Sequence, residues 1–447
     1  MSKRESWTVT HPHAAGIDVG AYSHYVAVPP DAVEMADTPV RQFNCHTGAL
    51  ELLAQWLIDC GVTTVALEST GVYWIPLFEV LEARGLDVWL VNARSVRHVS
   101  GRKSDVLDCQ WLQQLHCFGL LQRAFRPDAS VCAVREIVRL RMGVIEERAR
   151  HVQRMQKAMV QMNVQLSSVI KDIAGESGLA IIRAILRGER DPHALAALCN
   201  YRVKASKKEV ADSVQGTWKA EHLFCLAHEF KCFEFLTLQI KDIDVRIEQE
   251  LGALGVQNVA VETQPNKGRA KNAPKFPVRQ ALMNWSKVDL TTVPGIDAGT
   301  ALTILGELGP NLHRFESPKR FCSWLGLCPG THITGGKRIS GQSKRLPNRV
   351  SQALKLAAQG LSRAHCAMGA YYRTMSLRMG TSKAITAVAH KLARTIYAML
   401  KGEEQYSDER MQSNQARYSA RVLKSMRRRA AQMGYELVPS ANPAVCA

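Results

Sequence analysis

Thr64-Val65-Ala66-Leu67-Glu68-Ser69-Thr70-Gly71 decides the fold class. Its first four residues are β-branched or apolar without a polar break. That is how a strand buried on both faces reads, and such strands belong to sheets covered by helices. The strand ends on an acid and runs into a glycine turn, so Glu68 stands at a strand terminus, where sheets of this kind place their chemistry. Working outward, Ala14–Pro29 reads as a strand that turns into a hairpin with Arg41-Gln42-Phe43. Thr47–Cys60 is an amphipathic helix with a cap at Thr47, Thr63–Glu68 a strand, Val72–Arg84 a helix and Asp87–Asn92 a further apolar strand. The alternation over residues 12–128 predicts an α/β domain with a mixed sheet.

Three more acids sit where a carboxylate is costly. Asp18 interrupts the apolar run of Gly16-Ile17-Asp18-Val19-Gly20, and Asp105 and Asp108 stand three apart at the head of a helix, on one face. Taken singly, each has an ordinary explanation as a turn former or a first-turn residue favoured by the helix dipole. Taken together, four carboxylates of this placement repel one another unless cations compensate them, and paired divalent metals are the usual compensation in phosphodiester chemistry.

Composition agrees. The 447 residues carry 58 Lys+Arg against 40 Asp+Glu, a formal charge of +18. Such a surplus attracts a polyanion, nucleic acid being the commonest. No apolar run approaches the roughly 20 residues that span a bilayer, and the N-terminus lacks the apolar core of a secretion signal. Membrane association is therefore not expected. Twelve cysteines without a Cys-x-x-Cys pair indicate neither zinc nor disulfides, and predict reduced thiols in a cytoplasmic protein.

From about 131 to 173 the period changes. Val138, Ile145, Val152, Met159, Leu166 and Ile173 recur every seven residues, with Met155, Met162 and Val169 between them. Arg141 and Arg148 interrupt the seam. This predicts one helix of about 60 Å. A second run, Phe233, Leu236, Ile240, Ile243, Ile247 and Leu254, predicts a second long helix packed on the first or on a partner subunit. The arginines Arg135, Arg139, Arg141, Arg148, Arg150 and Arg154 read as a solvated face, the alternative being a phosphate-contacting edge. Residues 175–220 are helical in tone. Residues 256–287 form a basic linker, 288–402 a compact C-terminal domain and 403–447 a basic tail.

In the C-terminal domain Val293-Pro294-Gly295-Ile296-Asp297-Ala298-Gly299 reads as a helix-hairpin-helix turn whose amides near Gly295 hold a phosphate. Downstream, Thr331-His332-Ile333-Thr334-Gly335-Gly336-Lys337-Arg338, followed by Ser343-Lys344-Arg345, sets hydroxyls beside glycines and a dense basic run, as a loop closing on a phosphodiester would. A surface turn with solvated charges is the plain alternative. Arg94, Arg97, Arg102 and Lys103, ahead of Asp105, read as backbone contacts for nucleic acid or as a solvated loop.

The order Gly-Ile-Asp, Leu-Glu-Ser-Thr-Gly, Lys-Ser-Asp-x-x-Asp, Val-Pro-Gly-Ile, Gly-Leu-Cys-Pro-Gly, Thr-Gly-Gly-Lys resembles the DEDD-type insertion-sequence transposases of family 110 and its 1111 group, over about residues 14–125 and 288–400. Residues 384–394 resemble that family's C-terminal helix. The resemblance implies an N-terminal RuvC-like domain of the ribonuclease H class, in which Asp18, Glu68, Asp105 and Asp108 hold Mg²⁺. It implies a mostly helical C-terminal transposase domain with a serine nucleophile, and an element-encoded guide RNA that pairs with DNA at the element ends and the target. It also implies assembly as a homodimer or homotetramer, with coiled-coil helices fitting that assembly and domains of different subunits meeting at the cut site. At the serine position this chain has Thr334. A threonine hydroxyl can attack phosphorus, although its methyl crowds the phosphate. Ser340 and Ser343 are the other hydroxyls nearby. Lys337, Arg338, Lys344 and Arg345 are expected to neutralise phosphate charge. The rival readings are a RuvC-like nuclease that uses water and forms no covalent adduct, and an inactive nucleic-acid-binding copy.

Overall fold

The structure, a computed structural model, describes residues 8–34, 37–69, 71–92, 104–255, 272–330, 332–341, 348–402 and 405–438. The chain separates into two compact units, Met1–Arg126 and Pro127–Ala447.

The first unit is built on five strands, β1 (Ala14–Val19), β2 (Ser23–Ala27), β3 (Val40–Asn44), β4 (Thr64–Glu68) and β5 (Asp87–Val91), in the order β3-β2-β1-β4-β5. β1, β2 and β3 are antiparallel neighbours, while β4 runs parallel to β1 and β5 parallel to β4. The β1–β2 reversal is tight, with the Gly20 amide donating to the Ser23 carbonyl at 3.1 Å. Helices α1 (Thr47–Asp59) and α2 (Trp74–Ala83) belong to one face, where Ile17, Val19, Val26, Val65 and Leu67 share a core with Leu50, Leu53, Leu57, Leu77 and Leu81. Helix α3 (Asp105–Cys117) covers the other face, closing Ala66 and Val91 under Leu112. This mixed sheet with helices on both faces is compatible with a ribonuclease H-like α/β domain. The expected elements recur within a residue or two. One correction concerns α1, which is capped at His46 without a side-chain bond, so Thr47 lies inside the helix.

The second unit opens with α4 (Ala129–Gln161), followed by the short helices α5 (Leu166–Val169), α6 (Glu176–Leu186), α7 (Pro192–Ala197) and α8 (Lys207–Ser213), then α9 (Ala220–Leu254). The two long helices pack against each other. At one end Met155, Met159 and Met162 close a core with Ile181, Ile185, Val210, Leu226 and Phe230. The expected 131–173 helix is not continuous. It stops at Gln161, where Asn163 adopts a left-handed φ of 59° that asparagine tolerates, and the remaining apolar positions Leu166 and Ile173 serve the small helical core instead. At 33 residues, α4 is about 50 Å long.

The solvated-face reading of the α4 arginines is corrected at most positions. Arg141, buried, donates from Nε to Asp244 Oδ1 of α9 at 2.5 Å, and its Nη2 reaches the Asn272 carbonyl at 3.0 Å. Asp244 also accepts the Lys275 amide at 3.0 Å. Arg148 reaches Asn272 Oδ1 at 2.8 Å and Thr237 Oγ1 at 3.5 Å. Arg139 grips Glu307 with two bonds of 2.7 and 2.8 Å, and Arg135 donates to the Glu307 carbonyl. Only Arg150, with Glu147, and Arg154, beside Glu229, keep to the surface. The polar breaks in the heptad seam are thus paired within the chain, Arg141 with a carboxylate and Arg148 with neutral oxygens.

The C-terminal part comprises α10 (Val278–Ser286), α11 (Ala298–Leu308), α12 (Pro318–Trp324), a hairpin of β6 (His332–Thr334) and β7 (Lys337–Ser340), α13 (Arg349–Gly360), α14 (Ala367–Met379), α15 (Thr381–Leu400) and α16 (Asp408–Gln432). α10 occupies the end of the segment read as linker, and α16 lies within the segment read as tail. The helix carrying Glu307 is α11, so the Arg139 clasp ties α4 to this part. There a Cβ on Gly309 would approach Val131 to 3.0 Å. Among the described residues no helix is long and apolar enough to cross a membrane.

Candidate active site

Strand alternation puts Gly16 and Asp18 on one face of β1, and Ala66 and Glu68 on the same face of β4. Ile17 pairs with Leu67 in the parallel ladder, so Asp18 and Glu68 stand side by side, one residue beyond it, at the C-terminal ends of adjacent strands. Both are half-buried.

The helix that carries the other two acids is seated by a backbone contact. A Cβ built on Gly16 would lie 2.3 Å from the Gln113 amide nitrogen and 2.5 Å from the Cys109 carbonyl oxygen. α3 therefore rests backbone to backbone on β1, which only glycine permits. Two side chains fix its direction. Gln113 Nε2 donates to the Ala14 carbonyl at 3.2 Å, near the start of β1. His116 Nε2 lies 2.9 Å from Thr64 Oγ1, near the start of β4. The Thr64 hydroxyl gives its proton to the Asp87 carbonyl, so the histidine carries its proton on Nε2. The helix thus runs against the strands. Two strand residues from Gly16 to Asp18 advance about 6.6 Å, and four helical residues from Cys109 back to Asp105 about 6 Å, so the first turn of α3 ends level with Asp18. Ser104 starts that turn by accepting the Leu107 amide at 3.3 Å.

The electrostatics carry the same geometry. The buried Cys109 thiol is pushed up to about 12, first by burial, then by the negative charge of Asp18 and, more weakly, of Asp108. One side chain thus feels an acid of the sheet and an acid of the helix. Asp108 is half-buried and Asp105 exposed. Among the described residues no three histidine, cysteine or acidic groups are gathered closely enough to hold a metal. The donor set nevertheless suits one kind of ion: carboxylate oxygens fit a hard cation such as Mg²⁺.

In the C-terminal part, Gly335 and Gly336 have φ of 55° and 74°, the pair of left-handed residues that a two-residue hairpin turn requires. The turn explains both glycines without a ligand. It also sets Thr334 directly across from Lys337, both exposed, with side chains on one face of the ribbon. Arg338 pairs with Ile333, and Ser340 with His332. The side chains of Arg338 and Ser340, and all of Ser343, Lys344, Arg345, Arg94, Arg97, Arg102 and Lys103, lie outside the described residues. Gly295 has φ 85°, and a Cβ there would meet the Ala357 carbonyl at 3.1 Å and Leu361 at 3.2 Å. Packing accounts for this glycine, and Asp297 caps α11 by accepting the Thr300 amide at 2.7 Å.

Two groups that shape the site were not singled out from the sequence, Gly16 and Cys109. Glycine inside an apolar strand was the available signal for Gly16, since it marks close backbone approach.

Residues 15–164 match a DEDD-type IS110 model described as "Transposase", and residues 289–373 match the "Transposase IS116/IS110/IS902 family". Together the two take in more than half of the chain. The chain belongs to the IS110 transposase family. Among curated proteins it is similar to the transposase for insertion sequence element IS1111A of Coxiella burnetii (strain RSA 493 / Nine Mile phase I), 29% identical over 121 residues. That match covers 26% of this chain and 33% of the relative, so it spans about a third of the relative's length. The first family match contains the sheet and α3 with all four acids, and the second contains the hairpin with Thr334.

Proposed function

We propose that this IS110-family chain is a DNA transposase that cuts and rejoins DNA at the ends of an insertion sequence and at its target. The observation that carries the reading is the seat of α3 on Gly16, which brings the helix acids level with Asp18 and Glu68. Asp18, Glu68, Asp105 and Asp108 would hold Mg²⁺ through carboxylate oxygens. An ion held by these residues would supply charge neutralisation at a scissile phosphate and a lowered pKa for an attacking hydroxyl.

The other steps fall to side chains of this chain. The Thr334 hydroxyl attacks phosphorus. A bond from the threonine oxygen to phosphorus replaces one to a deoxyribose oxygen, and the released sugar hydroxyl takes the proton. The phosphoester keeps the bond energy for rejoining. Lys337, across the hairpin from Thr334, is positioned to neutralise the phosphate, and Arg338, Lys344 and Arg345 are assigned the same role. Arg94, Arg97, Arg102 and Lys103 would hold nucleic-acid backbone, as would the turn at Gly295. The +18 charge supports polyanion binding. Guidance by an element-encoded RNA, a RuvC-type active site, assembly as a homodimer or homotetramer and a cytoplasmic location belong to the same proposal, supported by the family membership.

The test is precise excision in cells. The gene keeps its native flanks, and resealed donor and element junctions are sequenced. Wild type is expected to give junctions that Asp18→Ala and Thr334→Ala both lose. Junctions that persist in Thr334→Ala would move the nucleophile to Ser340 or Ser343. Junctions that persist in Asp18→Ala would sink the metal-dependent reading.

A further inference from the structure

Between α4, α6 and α9 lies a cavity of about 760 Å³. Ile145, Val152, Leu179 and Phe233 give it apolar walls, and Arg148, Arg183 and Lys241 face it with positive charge. The three cations are not equivalent. Arg183 is paired with Glu234 at 2.9 Å. Arg148 is half-buried, yet its partners are a hydroxyl, an amide oxygen and the Phe233 ring. Burial, and then the neighbouring Arg141 charge, make its guanidinium harder to keep charged than usual. A half-buried cation whose partners among the described residues are all neutral is a standing cost, recovered when an anion arrives.

An apolar slot beside an uncompensated guanidinium has the chemistry of a nucleotide site, with the base against the apolar wall and the phosphate on Arg148 and Lys241. The volume lies in the range of small-molecule sites. We propose that this cavity takes one unpaired, splayed-out nucleotide of the nucleic acid the protein binds. The source is RNA or single-stranded DNA, the recognised chemistry being the same. The inference rests on the nucleic-acid reading above, and it assigns a role to the 166–254 helices, which lie outside both family matches.

The experiment uses the full chain and photo-crosslinkable oligonucleotides, one RNA arm with 4-thiouridine and one DNA arm with 5-iodouracil. Fluorescence anisotropy reads total binding, and mass spectrometry maps the crosslinked peptide. Crosslinks are expected on α9 near Phe233 or on α4 near Arg148, in the arm that supplies the nucleotide. Arg148→Gln and Lys241→Gln are each expected to weaken that arm's crosslink about tenfold. Because Arg148 also holds Asn272, thermal unfolding of both variants is followed, and Lys241→Gln, which removes an exposed side chain, serves as the fold-neutral change. Binding with crosslinks elsewhere, or crosslinks indifferent to both variants, would overturn the cavity assignment while leaving the transposase reading intact. No binding of either oligonucleotide would overturn both.

Discussion

Replacing Gly16 with alanine tests the seat of α3 on β1. The added methyl would sit 2.3 Å from the Gln113 nitrogen and 2.5 Å from the Cys109 oxygen, both backbone atoms of α3. No rotamer change relieves such a clash, so the helix must retreat by about 1 Å to reach ordinary contact. Overpacking of this kind costs about 1–3 kcal/mol, which for a unit of this size lowers the melting temperature by roughly 5–10 °C. The functional loss is expected to be larger. A displacement of about 1 Å at reacting groups costs on the order of a hundredfold in rate, and here it moves the helix acids relative to Asp18 and Glu68. Junction sequencing should therefore show excision down about a hundredfold, while circular dichroism shows a folded protein. Gly48→Ala is the control, because a Cβ there meets nothing within 4 Å. Gly16→Ala at wild-type excision and stability would refute the claim that a backbone contact sets the spacing of the acids.

Asp244→Ala should destabilise the second unit by about 3–5 kcal/mol, since it leaves the buried Arg141 charge without its carboxylate. Arg141→Met combined with Asp244→Leu should recover at least half of that in urea unfolding, and a double variant no better than the single would deny the pair its role. The buried His116 ring is pulled down to about 4, first by burial and then by the charge of His11. The unfolded ring takes its proton near 6.5, so this histidine's contribution is intact above that pH and is lost as the pH falls toward 4, by about 3 kcal/mol. Denaturant midpoints of wild type should fall across that window more steeply than those of His116→Gln, and parallel curves would contradict the assignment. Thr334→Ser keeps the hydroxyl and removes a methyl, so its excision should equal or exceed that of wild type while Thr334→Ala yields none. A dead Thr334→Ser with an active Thr334→Ala would remove this hydroxyl from the chemistry.

The α/β half was legible because each strand announces itself by an unbroken apolar run and each helix by its period. Glu68 was placed at a strand end by Thr64–Leu67 alone, and the sheet puts it there. The seating of α3 on β1 was not legible, because it depends on a missing Cβ at Gly16 meeting a helix about ninety residues downstream. The arginines of α4 misled for a related reason. A local window shows Arg141 breaking a heptad, while Asp244, which accepts its charge, comes a hundred residues later on another helix. The end of α4 was missed because its heptad apolar residues continue past Asn163 and serve a different core. Gly335-Gly336 read as part of a loop closing on a phosphodiester or of a surface turn, and their first duty is the hairpin turn.

The Asp244 layer does more than close a seam. Its carboxylate holds the Lys275 amide, and Arg141 and Arg148 hold Asn272 from the opposite helix. After α9 ends at Leu254, the chain is thus recaptured level with Asp244, about 15 Å back along the helix, and enters α10 from that mooring. The entry of the C-terminal part is located by this mooring. A single change at Asp244 would free its Lys275 end and leave Asn272 on Arg148.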